Sequence, residues 1–354
     1  MKKLLFVNPN IQIRNGFTGV DVKISGQISA LQTKYDVCLV SQNCYDTDWI
    51  GIKILETMLS QFRFYFYSLK SDVVYYRYTP VLIFYNMALL FISMFSDVWI
   101  EHNTIPRYEL KLSHSWMVVF HVLQMRMLRL SKIRHIAVTR EIIEIEKLPK
   151  DSFIMANGYF RDSDEQCDLS SYGNLIEDIK HRMIQERDKG NKILIFVGND
   201  FPWHGLDRIA SLIEKLNDVF LLLIGPIKDY KEILLLEREG RALRTGHLHP
   251  DLLPTIYEMA DFGLGTFGLE KKQMTQACPL KVREYLWYGL PTIINYHDPL
   301  LDEEWSKQFI YRVDWTNLDS LRDFLASEYQ RDVIRTRARQ NLNWKAIFEK
   351  IGII

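Results

Sequence analysis

The sequence has few cysteines, and no two of them are closely spaced. Cys38, Cys44, Cys167 and Cys278 are scattered along 354 residues, and no C-x-x-C pair occurs. This usage excludes a disulfide framework and argues against a zinc site, because both need clustered cysteines. It is typical of a protein that is kept in a reducing compartment.

The sequence also lacks an excess of charge of either sign and an excess of glycine or proline. Lys and Arg together number 44, and so do Asp and Glu. A general nucleic-acid binder relies on surplus positive charge, so we predict no nucleic-acid partner. With 17 Gly, 11 Pro and 47% hydrophobic residues the chain has the composition of an ordered globular protein, and its length favours two domains.

Long hydrophobic runs are missing too. The apolar run in the first ten residues, MKKLLFVNPN, stops at Asn8 and is too short for a signal peptide. Residues 81–95 are interrupted by Tyr85, Asn86 and Ser93, and fall short of the roughly 20 apolar residues that a spanning helix needs. We therefore expect a cytoplasmic protein without a transmembrane segment.

What the sequence does contain is a regular alternation of short apolar runs with longer helical patterns. This alternation predicts two doubly wound α/β units with parallel sheets, each Rossmann-like. The predicted domains are residues 1–160 and 191–335, joined by a polar linker and helix at 161–190, with a C-terminal helix at 336–354 that would cross back to the first domain. The predicted strands are 4–7, 35–40, 72–77, 97–102, 135–139, 153–157, 192–198, 219–225, 260–266 and 291–294.

The most informative segment for chemistry is CPLKVREYLWYGLPTII, residues 278–294. A helix that begins just after Pro279 would present free backbone N–H groups to an anion. Lys281 and Arg283 add cationic donors, and the carboxylate of Glu284 suits ribose hydroxyls, so the segment fits a nucleoside diphosphate. An ordinary capped helix with surface charges is the alternative that the residues alone leave open.

The segment ADFGLGTFGLEKKQMTQACPLKVREYLWYGLPTII, residues 260–294, resembles the donor-binding segment of retaining GT-B glycosyltransferases of glycosyltransferase family 4, particularly those of bacterial capsule, exopolysaccharide or O-antigen synthesis. The resemblance extends to 197–209 and 245–264 in the donor half, and to 73–78 and 100–104 in the acceptor half. It implies a GT-B fold, with two Rossmann-like domains facing a central cleft. It also implies retaining transfer from a nucleotide sugar to a glycan or lipid-linked glycan.

Carried over position by position, the resemblance makes Glu284 the second acid of the family's E-x7-E pair, which binds the ribose. The first acid falls at Gln276, which is a departure, because an amide keeps hydrogen bonding but removes the charge. We predict Gln276 as a catalytic-site residue and rank the nearby Glu270 below it. The donor-binding backbone would include Ala277 and Leu280. The resemblance also places His247 among the donor-binding residues.

A second departure concerns the cations that hold the diphosphate. Relatives commonly carry an Arg just after the glycine that corresponds to Gly198 and a Lys before the next glycine, where this chain has Asn199 and His204. His204 can still donate to a phosphate, and more strongly when it is protonated. An ordinary loop histidine before the helix near Leu206 is the alternative, and Lys271 and Lys272 are further candidate cations.

In the N-terminal half, the loop after the first strand carries Gly16 and Gly19, which allow close approach of the backbone to a ligand. We predict that both glycines and Arg14 contact the transferring sugar and its phosphate. The loop has no G-x-G-x-x-G pattern and no acidic residue closes the second strand, which disfavours a NAD-dependent dehydrogenase.

The acceptor side has a candidate cluster at the end of the strand 97–102. Glu101 and His102 are our predicted catalytic residues there, and only one of them should point into the cleft, because neighbours on a strand alternate faces. The alternative is a strand-end helix cap at Asn103 or Thr104, with a solvated Glu101. In look-alike enzymes the leaving phosphate itself assists deprotonation, so a protein base is not required.

Two D-x-D tripeptides, at 46–48 and 162–164, raise the question of a bound metal. The first follows its strand by several residues and the second lies in the linker, so we interpret both as solvated turns. We predict metal-independent chemistry without a cofactor. No Walker loop, G-x-S-x-G or H-E-x-x-H motif supports an ATPase or hydrolase. A non-catalytic nucleotide-sugar sensor and a GT-B epimerase or phosphorylase-like enzyme remain alternatives.

Residues 116–135 are strongly apolar and then basic, and together with 81–95 they could form a patch that settles on an anionic membrane. Helices of a doubly wound fold also carry apolar faces against their sheet, which is the alternative explanation. The resemblance favours the membrane, because look-alike enzymes often use lipid-linked sugars at the inner leaflet. We therefore predict peripheral contact with the inner membrane face.

Overall fold

A computed structural model describes residues 1–8, 19–41, 50–80, 82–108, 117–161 and 173–354, without the side chains of 50–57. The chain divides into two compact units. The first comprises Met1–Ala156 and Trp344–Ile354, and the second comprises Asn157–Asn343. The chain thus returns to the first unit at Trp344, whereas residues 336–343 stay with the second.

The first unit is built on a six-stranded parallel sheet in the order β2-β1-β3-β4-β5-β6. Its strand β1, which lies between β2 and β3, is apolar and buried from Leu4 to Val7, with Leu4 opposite both Val37 and Val73. Burial on both faces explains why these strands are continuous apolar runs. The strands are β1 (Lys2–Asn8), β2 (Tyr35–Ser41), β3 (Val73–Arg77), β4 (Asp97–His102), β5 (Arg134–Ala137) and β6 (Phe153–Ile154).

Helices cover the two faces of this sheet. Right-handed crossovers place α2, α3 and α4 on one face and α1 on the other, where α1 is Gly19–Leu31, α2 is Ile50–Ser68, α3 is Ile83–Ile92 and α4 is Met117–Arg129. Helix α3 packs against both α2 and α4. The short helix α5 (Arg140–Ile145) follows β5, and its N-terminus is capped by Thr139, whose hydroxyl accepts from the Ile142 N–H.

The second unit has its own six-stranded parallel sheet, in the order β12-β11-β10-β7-β8-β9. A cluster of buried aliphatic and aromatic side chains lies between the sheet and the helices, including Phe196, Ile209, Leu221 and Leu264. The strands are β7 (Lys192–Val197), β8 (Val219–Ile224), β9 (Ala242–Arg244), β10 (Phe262–Leu264), β11 (Thr292–Ile294) and β12 (Ile310–Arg312). The helices are α6 (Gly173–Asp188), α7 (Leu206–Glu214), α8 (Lys231–Arg238), α9 (Leu253–Met259), α10 (Leu280–Trp287), α11 (Asp319–Ala326) and α12 (Arg331–Asn341).

The last helix, α13 (Trp344–Lys350), belongs to the first unit and packs against α1. Trp344 is buried with the Lys23 Nζ 5.8 Å from its ring centre, and Phe348 meets Tyr75 edge to face. The aromatic side chains of this helix therefore complete the core on the α1 face of the first sheet.

The prediction of two doubly wound parallel sheets is confirmed. Sequence patterns missed β9 and β12, which have three residues each and lie at the edges of the second sheet. Three residues are too few to show a period, and edge strands need less apolar character than central ones.

Among the described residues, no helix is both long enough and apolar enough to cross a membrane.

Candidate functional site

Helix α10 begins where the sequence predicts, directly after Pro279, which has extended backbone angles and stands at the N-cap. The Tyr285 ring anchors the helix, because its hydroxyl accepts from the Val197 N–H at 2.8 Å. Gly263 makes room for that ring, since a Cβ there would lie 2.3 Å from it. These contacts fix the first turn of α10, with its free N–H groups, beside the carboxyl end of β7.

Lys281 is the most unusual residue of this first turn. Its Nζ is buried without a hydrogen-bond partner and lies 3.7 Å from the centre of the Phe196 ring. A Cβ on Gly198 would lie 2.8 Å from the same nitrogen, so the end of the lysine side chain occupies the space that the glycine leaves open. Burial lowers the pKa of Lys281 well below its usual value. An amine in this position carries a desolvation cost that an arriving anion would remove.

His204 stands next to Lys281, because both side chains approach the place where a Gly198 Cβ would lie. Its Nδ1–H donates to the Asn199 carbonyl, and its ring approaches to 3.3 Å of where a Gly198 Cβ would lie. Burial, followed by the positive charge of Lys281, lowers the pKa of His204 to about 3. The ring is therefore neutral near pH 7, and with Nδ1 carrying the proton its Nε2 can donate only after protonation.

The loop that carries His204 is held by backbone contacts. The His204 carbonyl accepts from the Phe267 N–H at 2.9 Å, and the Gly268 N–H donates to the Trp203 carbonyl at 3.2 Å. Gly205 has φ of 67°, and a Cβ there would lie 2.4 Å from the Gly268 nitrogen. The position of His204 is thus set by a tight loop-to-loop packing that glycine alone permits.

Arg283 does not fit the phosphate contact that the sequence predicts. Its side chain is fully buried, and its three nitrogens donate to the Asn157 carbonyl and to both oxygens of the Asp298 carboxylate. Burial alone would lower the pKa of Arg283, but the Asp298 carboxylate outweighs it and raises that pKa. The side chain projects from the helix into the protein, where it forms an internal ion pair.

Glu284 lies on α10 with one carboxylate oxygen bonded to the Tyr159 hydroxyl at 3.0 Å. Burial raises the pKa of Glu284 above its usual value. Before the helix, Gln276 pairs with His297 in an isolated parallel bridge, and the Ala277 N–H donates to the His297 carbonyl at 3.0 Å. Gln276, Ala277 and Glu284 therefore lie together along one segment with Lys281, and their proposed roles toward a donor stay predictions.

The remaining predicted donor-side residues differ in their partners and in their exposure. Lys271 pairs with Asp207 at 2.9 Å, and the Lys272 Nζ lies 3.7 Å from the Trp203 ring centre. Glu270 pairs with Arg208 at 2.9 Å. Three further predicted residues are placed by their exposure: Asn199 and His247 are exposed, and Leu280 is partly buried at the first position of α10.

In the first unit, Glu101 is buried at the end of β4, 2.5 Å from the Lys23 Nζ and 3.7 Å from the Arg77 Nε. Burial favours the neutral acid, but Lys23 and Arg77 outweigh it and lower the pKa of Glu101. The alternative of a solvated Glu101 is therefore wrong. The carboxylate forms a buried ionic network, which Asn103 joins by accepting from Lys23.

His102 is also buried, and its Nε2 lies 3.0 Å from the His135 Nδ1. The His102 ring lies 5.0 Å from the Tyr78 ring, centre to centre. Burial lowers the pKa of both histidines, that of His135 to about 4. Neither Glu101 nor His102 presents its side chain to solvent, and a catalytic role for them stays a prediction.

Several predictions of the sequence fall outside the described residues: Arg14, Gly16 and the tripeptides 46–48 and 162–164. Gly19 is the first residue of α1 and is exposed. Sequence patterns missed three residues that shape the donor-side segment, namely Tyr159, Phe196 and Asp298. Local patterns give no signal for any of them, because each acts through a residue that is distant in the chain: Glu284, Lys281 or Arg283.

No family model matches the chain, and no curated protein matches its sequence. Solved structures match it over its whole length. Sucrose-phosphate synthase from Thermosynechococcus elongatus has a TM-score of 0.68 at 10% identity, over 100% of this chain and 98% of that one. HepE from Anabaena, solved with UDP and glucose, has a TM-score of 0.62 at 12% identity, over 100% of this chain and 99% of that one. AviGT4, a glycosyltransferase involved in avilamycin A biosynthesis, has a TM-score of 0.59 at 13% identity, over 100% of this chain and 96% of that one. This likeness shows a GT-B fold.

Proposed function

We propose that this chain is a glycosyltransferase that moves a sugar from a nucleotide-sugar donor to a glycan or lipid-linked glycan. The observation that carries the proposal is the buried, unpartnered Nζ of Lys281 at the start of α10. A buried amine without a partner, which gains its charge when an anion arrives, is a site for an anion beside free helix N–H groups. The GT-B fold supports a nucleotide sugar as that anion, since HepE was solved with UDP and glucose.

In this proposal the diphosphate of the donor lies against Lys281 and the first turn of α10. Burial removes water from the Lys281 amine, and an approaching diphosphate raises the pKa of that amine again, so the charge forms on binding. As the bond from the sugar to the diphosphate breaks, negative charge grows on the leaving phosphate. The Lys281 ammonium that forms on binding and the helix N–H groups stabilise that charge without further reorganisation. No metal is needed in this scheme.

Glu284 would bind the ribose and Gln276 would lie near the sugar. Both belong to the segment that carries Lys281, which supports these roles. Retention at the anomeric carbon, membership of family 4 and a place in bacterial surface polysaccharide synthesis are inferred from the resemblance of residues 260–294.

The role of Glu284 predicts a selective loss in Glu284→Gln. The amide oxygen can still accept from Tyr159, so the fold is kept, but the charge-assisted bonds to the ribose are lost. We expect affinity for a nucleoside diphosphate to fall by about 1.5–3 kcal/mol in calorimetry. Affinity for inorganic pyrophosphate, which has no ribose, should not change. Equal losses for both probes, or none, would place the ribose elsewhere.

The protonation state of His204 predicts that donor binding takes up protons. In the free protein the low pKa of His204 keeps the ring neutral, and a neighbouring dianion raises that pKa. Affinity should therefore weaken as pH rises through the pKa of the bound state. Calorimetry in buffers of different ionisation enthalpy measures the proton uptake; because Lys281 also gains a proton on binding, the part due to His204 is the difference between the wild type and His204→Lys.

His204→Lys should retain binding and flatten this pH dependence, because an ammonium at that loop position reaches the same phosphate as a fixed charge. His204→Ala should weaken binding at every pH. If the wild type and His204→Lys had the same pH profile, or if His204→Ala bound as well as the wild type, His204 would be a structural loop residue.

Turnover of radiolabelled nucleotide sugars tests the proposed function. A panel that includes UDP-glucose is incubated with the protein, a mixed glycan and lipid-linked acceptor pool, and either EDTA or magnesium. We expect one donor to be consumed, with equal rates in both media. Binding of a donor without turnover would favour a sensor, interconversion of the sugar would favour an epimerase, and activity lost in EDTA but restored by magnesium would reject the metal-independent scheme.

A further inference from the structure

The outward faces of α2, α3 and α4, together with the one to three residues that follow each helix, carry most of the large apolar side chains that are exposed among the described residues. Surface helices of a doubly wound fold normally place charged and polar residues there. We call this set the apolar face; it comprises Met58, Leu59, Phe62, Tyr65, Phe66, Tyr67, Leu69, Phe84, Phe91, Met94, Phe95, Val119, Phe120, Val122, Leu123, Met127 and Leu130.

These side chains are not a misplaced core, because the same helices bury a separate set against the sheet. Phe64 on α2, Tyr85 and Leu89 on α3, and Met125 and Leu128 on α4 are buried. Since α3 packs against both α2 and α4 on one side of the sheet, the outward sides of the three helices adjoin. The apolar face is therefore continuous, and far larger than isolated exposed side chains require.

Within the three stretches that carry the apolar face every charged side chain is basic, although Asp72 and Asp97 directly follow two of them. Residues 58–71, 82–96 and 117–133 contain no Asp or Glu, although the chain as a whole carries equal numbers of acids and bases. The charged side chains in these ranges are Arg63, Lys70, Arg126, Arg129 and Lys132. The Lys70 Nζ lies 3.7 Å from the Phe66 ring centre, so a cation and an apolar ring share one spot on the face.

We propose that the apolar face docks on the surface of an anionic lipid bilayer. Aromatic and aliphatic side chains would enter the boundary between headgroups and acyl chains, and the basic side chains would meet anionic headgroups. This extends the contact predicted from residues 81–95 and 116–135 by a third helix, α2, which contributes the aromatic pair Phe62 and Phe66. Docking does not depend on the glycosyl transfer proposed above.

The chemistry of the face favours a bilayer over a protein partner or a second copy. A second copy would bring identical basic side chains together, because a two-fold interface pairs a patch with itself. A specific protein interface has a polar rim with hydrogen-bond partners. An anionic leaflet needs no shape complement, and it accepts apolar side chains and basic side chains at the same time.

Flotation with vesicles tests the proposal. The full chain is mixed with vesicles of equal parts phosphatidylglycerol and phosphatidylcholine, or with phosphatidylcholine alone. We expect it to float with the anionic vesicles, less so at high salt. A triple variant replaces one exposed side chain on each helix with Ser: Phe62 (68% exposed), Phe84 (71%) and Leu123 (56%). Its partition coefficient into anionic vesicles should be lower by roughly a hundredfold or more.

Arg63→Gln and Arg126→Gln should lower partitioning into anionic vesicles by roughly fivefold each, and should not affect neutral vesicles. The matched controls lie on α8 of the second unit: Leu235→Ser, 45% exposed, and Lys231→Gln should float like the wild type. All variants should bind a nucleoside diphosphate as the wild type does, which separates docking from donor binding.

Three results would overturn the proposal. The first is a wild type that does not float with anionic vesicles. The second is a triple Ser variant that floats as well as the wild type. The third is a wild type that binds no vesicles and sediments as a dimer, when the triple Ser variant sediments as a monomer. That result would assign the face to a contact between copies of the chain.

Discussion

Replacing Lys281 with methionine is expected to stabilise the protein and to abolish most of its affinity for a nucleoside diphosphate. Methionine keeps an unbranched stem on the Phe196 ring but removes a buried amine that has no partner. Removing that unpaired group should raise the free energy of unfolding by about 1–3 kcal/mol. The loss of a charged hydrogen bond should cost about 1.5–3 kcal/mol in binding. Urea unfolding and calorimetry measure the two effects.

The variant should gain stability and lose affinity, and this combination is a sharp test. If Lys281 had only a structural role, replacing it would make the protein less stable. Lys271→Met is the matched control, since Lys271 is exposed, pairs with Asp207 and lies on a neighbouring segment. It should change stability by less than about 1 kcal/mol, as expected for a surface ion pair, and should leave binding intact. Unchanged affinity in Lys281→Met would remove the lysine from the donor site.

Asp298→Asn is expected to destabilise the second unit strongly. The Arg283 guanidinium is fully buried and relies on the two carboxylate oxygens of Asp298. Removing one partner of a buried pair leaves an uncompensated charge, which costs about 3–5 kcal/mol. Urea unfolding of the full chain, followed by hydrogen exchange of the backbone amides of the second unit, measures the loss.

Asp302→Asn is the control for that experiment, because the Asp302–Arg312 pair is similar in chemistry but solvent-exposed, and should cost less than about 1 kcal/mol. The double variant Arg283→Leu, Asp298→Leu should recover much of the lost stability, since no charge is then left unpaired. If Asp298→Asn unfolded like the wild type but lost affinity for pyrophosphate, Arg283 would be the phosphate ligand after all.

The architecture follows from the sequence because buried parallel strands need uninterrupted apolar runs. Central strands such as β1, β7 and β8 are therefore easy to find, as is the start of α10, where Pro279 and a following amphipathic stretch coincide. The edge strand β9 is harder, because Ala242–Arg244 has a basic residue and only three positions. Nothing in such a stretch distinguishes a strand from a loop.

The site is predicted less well than the fold, and Lys281 and Arg283 show why. Both are cationic residues in the first turn of one helix, and sequence gives them equal claims on a phosphate. Residues two apart on a helix project in directions about 200° apart. One side chain therefore lies beside Gly198 while the other points inward to Asp298. Which is which depends on the orientation of α10, and that is set by the distant contact between Tyr285 and Val197.

The same limit applies to Glu101. A carboxylate at the end of a buried strand is compatible with an exposed site or a buried ion pair, and the choice depends on Lys23, which is far away in sequence. That pairing across 78 positions has no local signature.

A crystal structure of the chain with a bound nucleoside diphosphate tests the central claim most directly. The proposal predicts a phosphate oxygen within hydrogen-bonding distance of the Lys281 Nζ and of a backbone N–H in the first turn of α10, with the ribose at Glu284. A diphosphate held by Lys271 or Lys272 instead, with the Lys281 Nζ still lying over the Phe196 ring and touching no ligand, would contradict it.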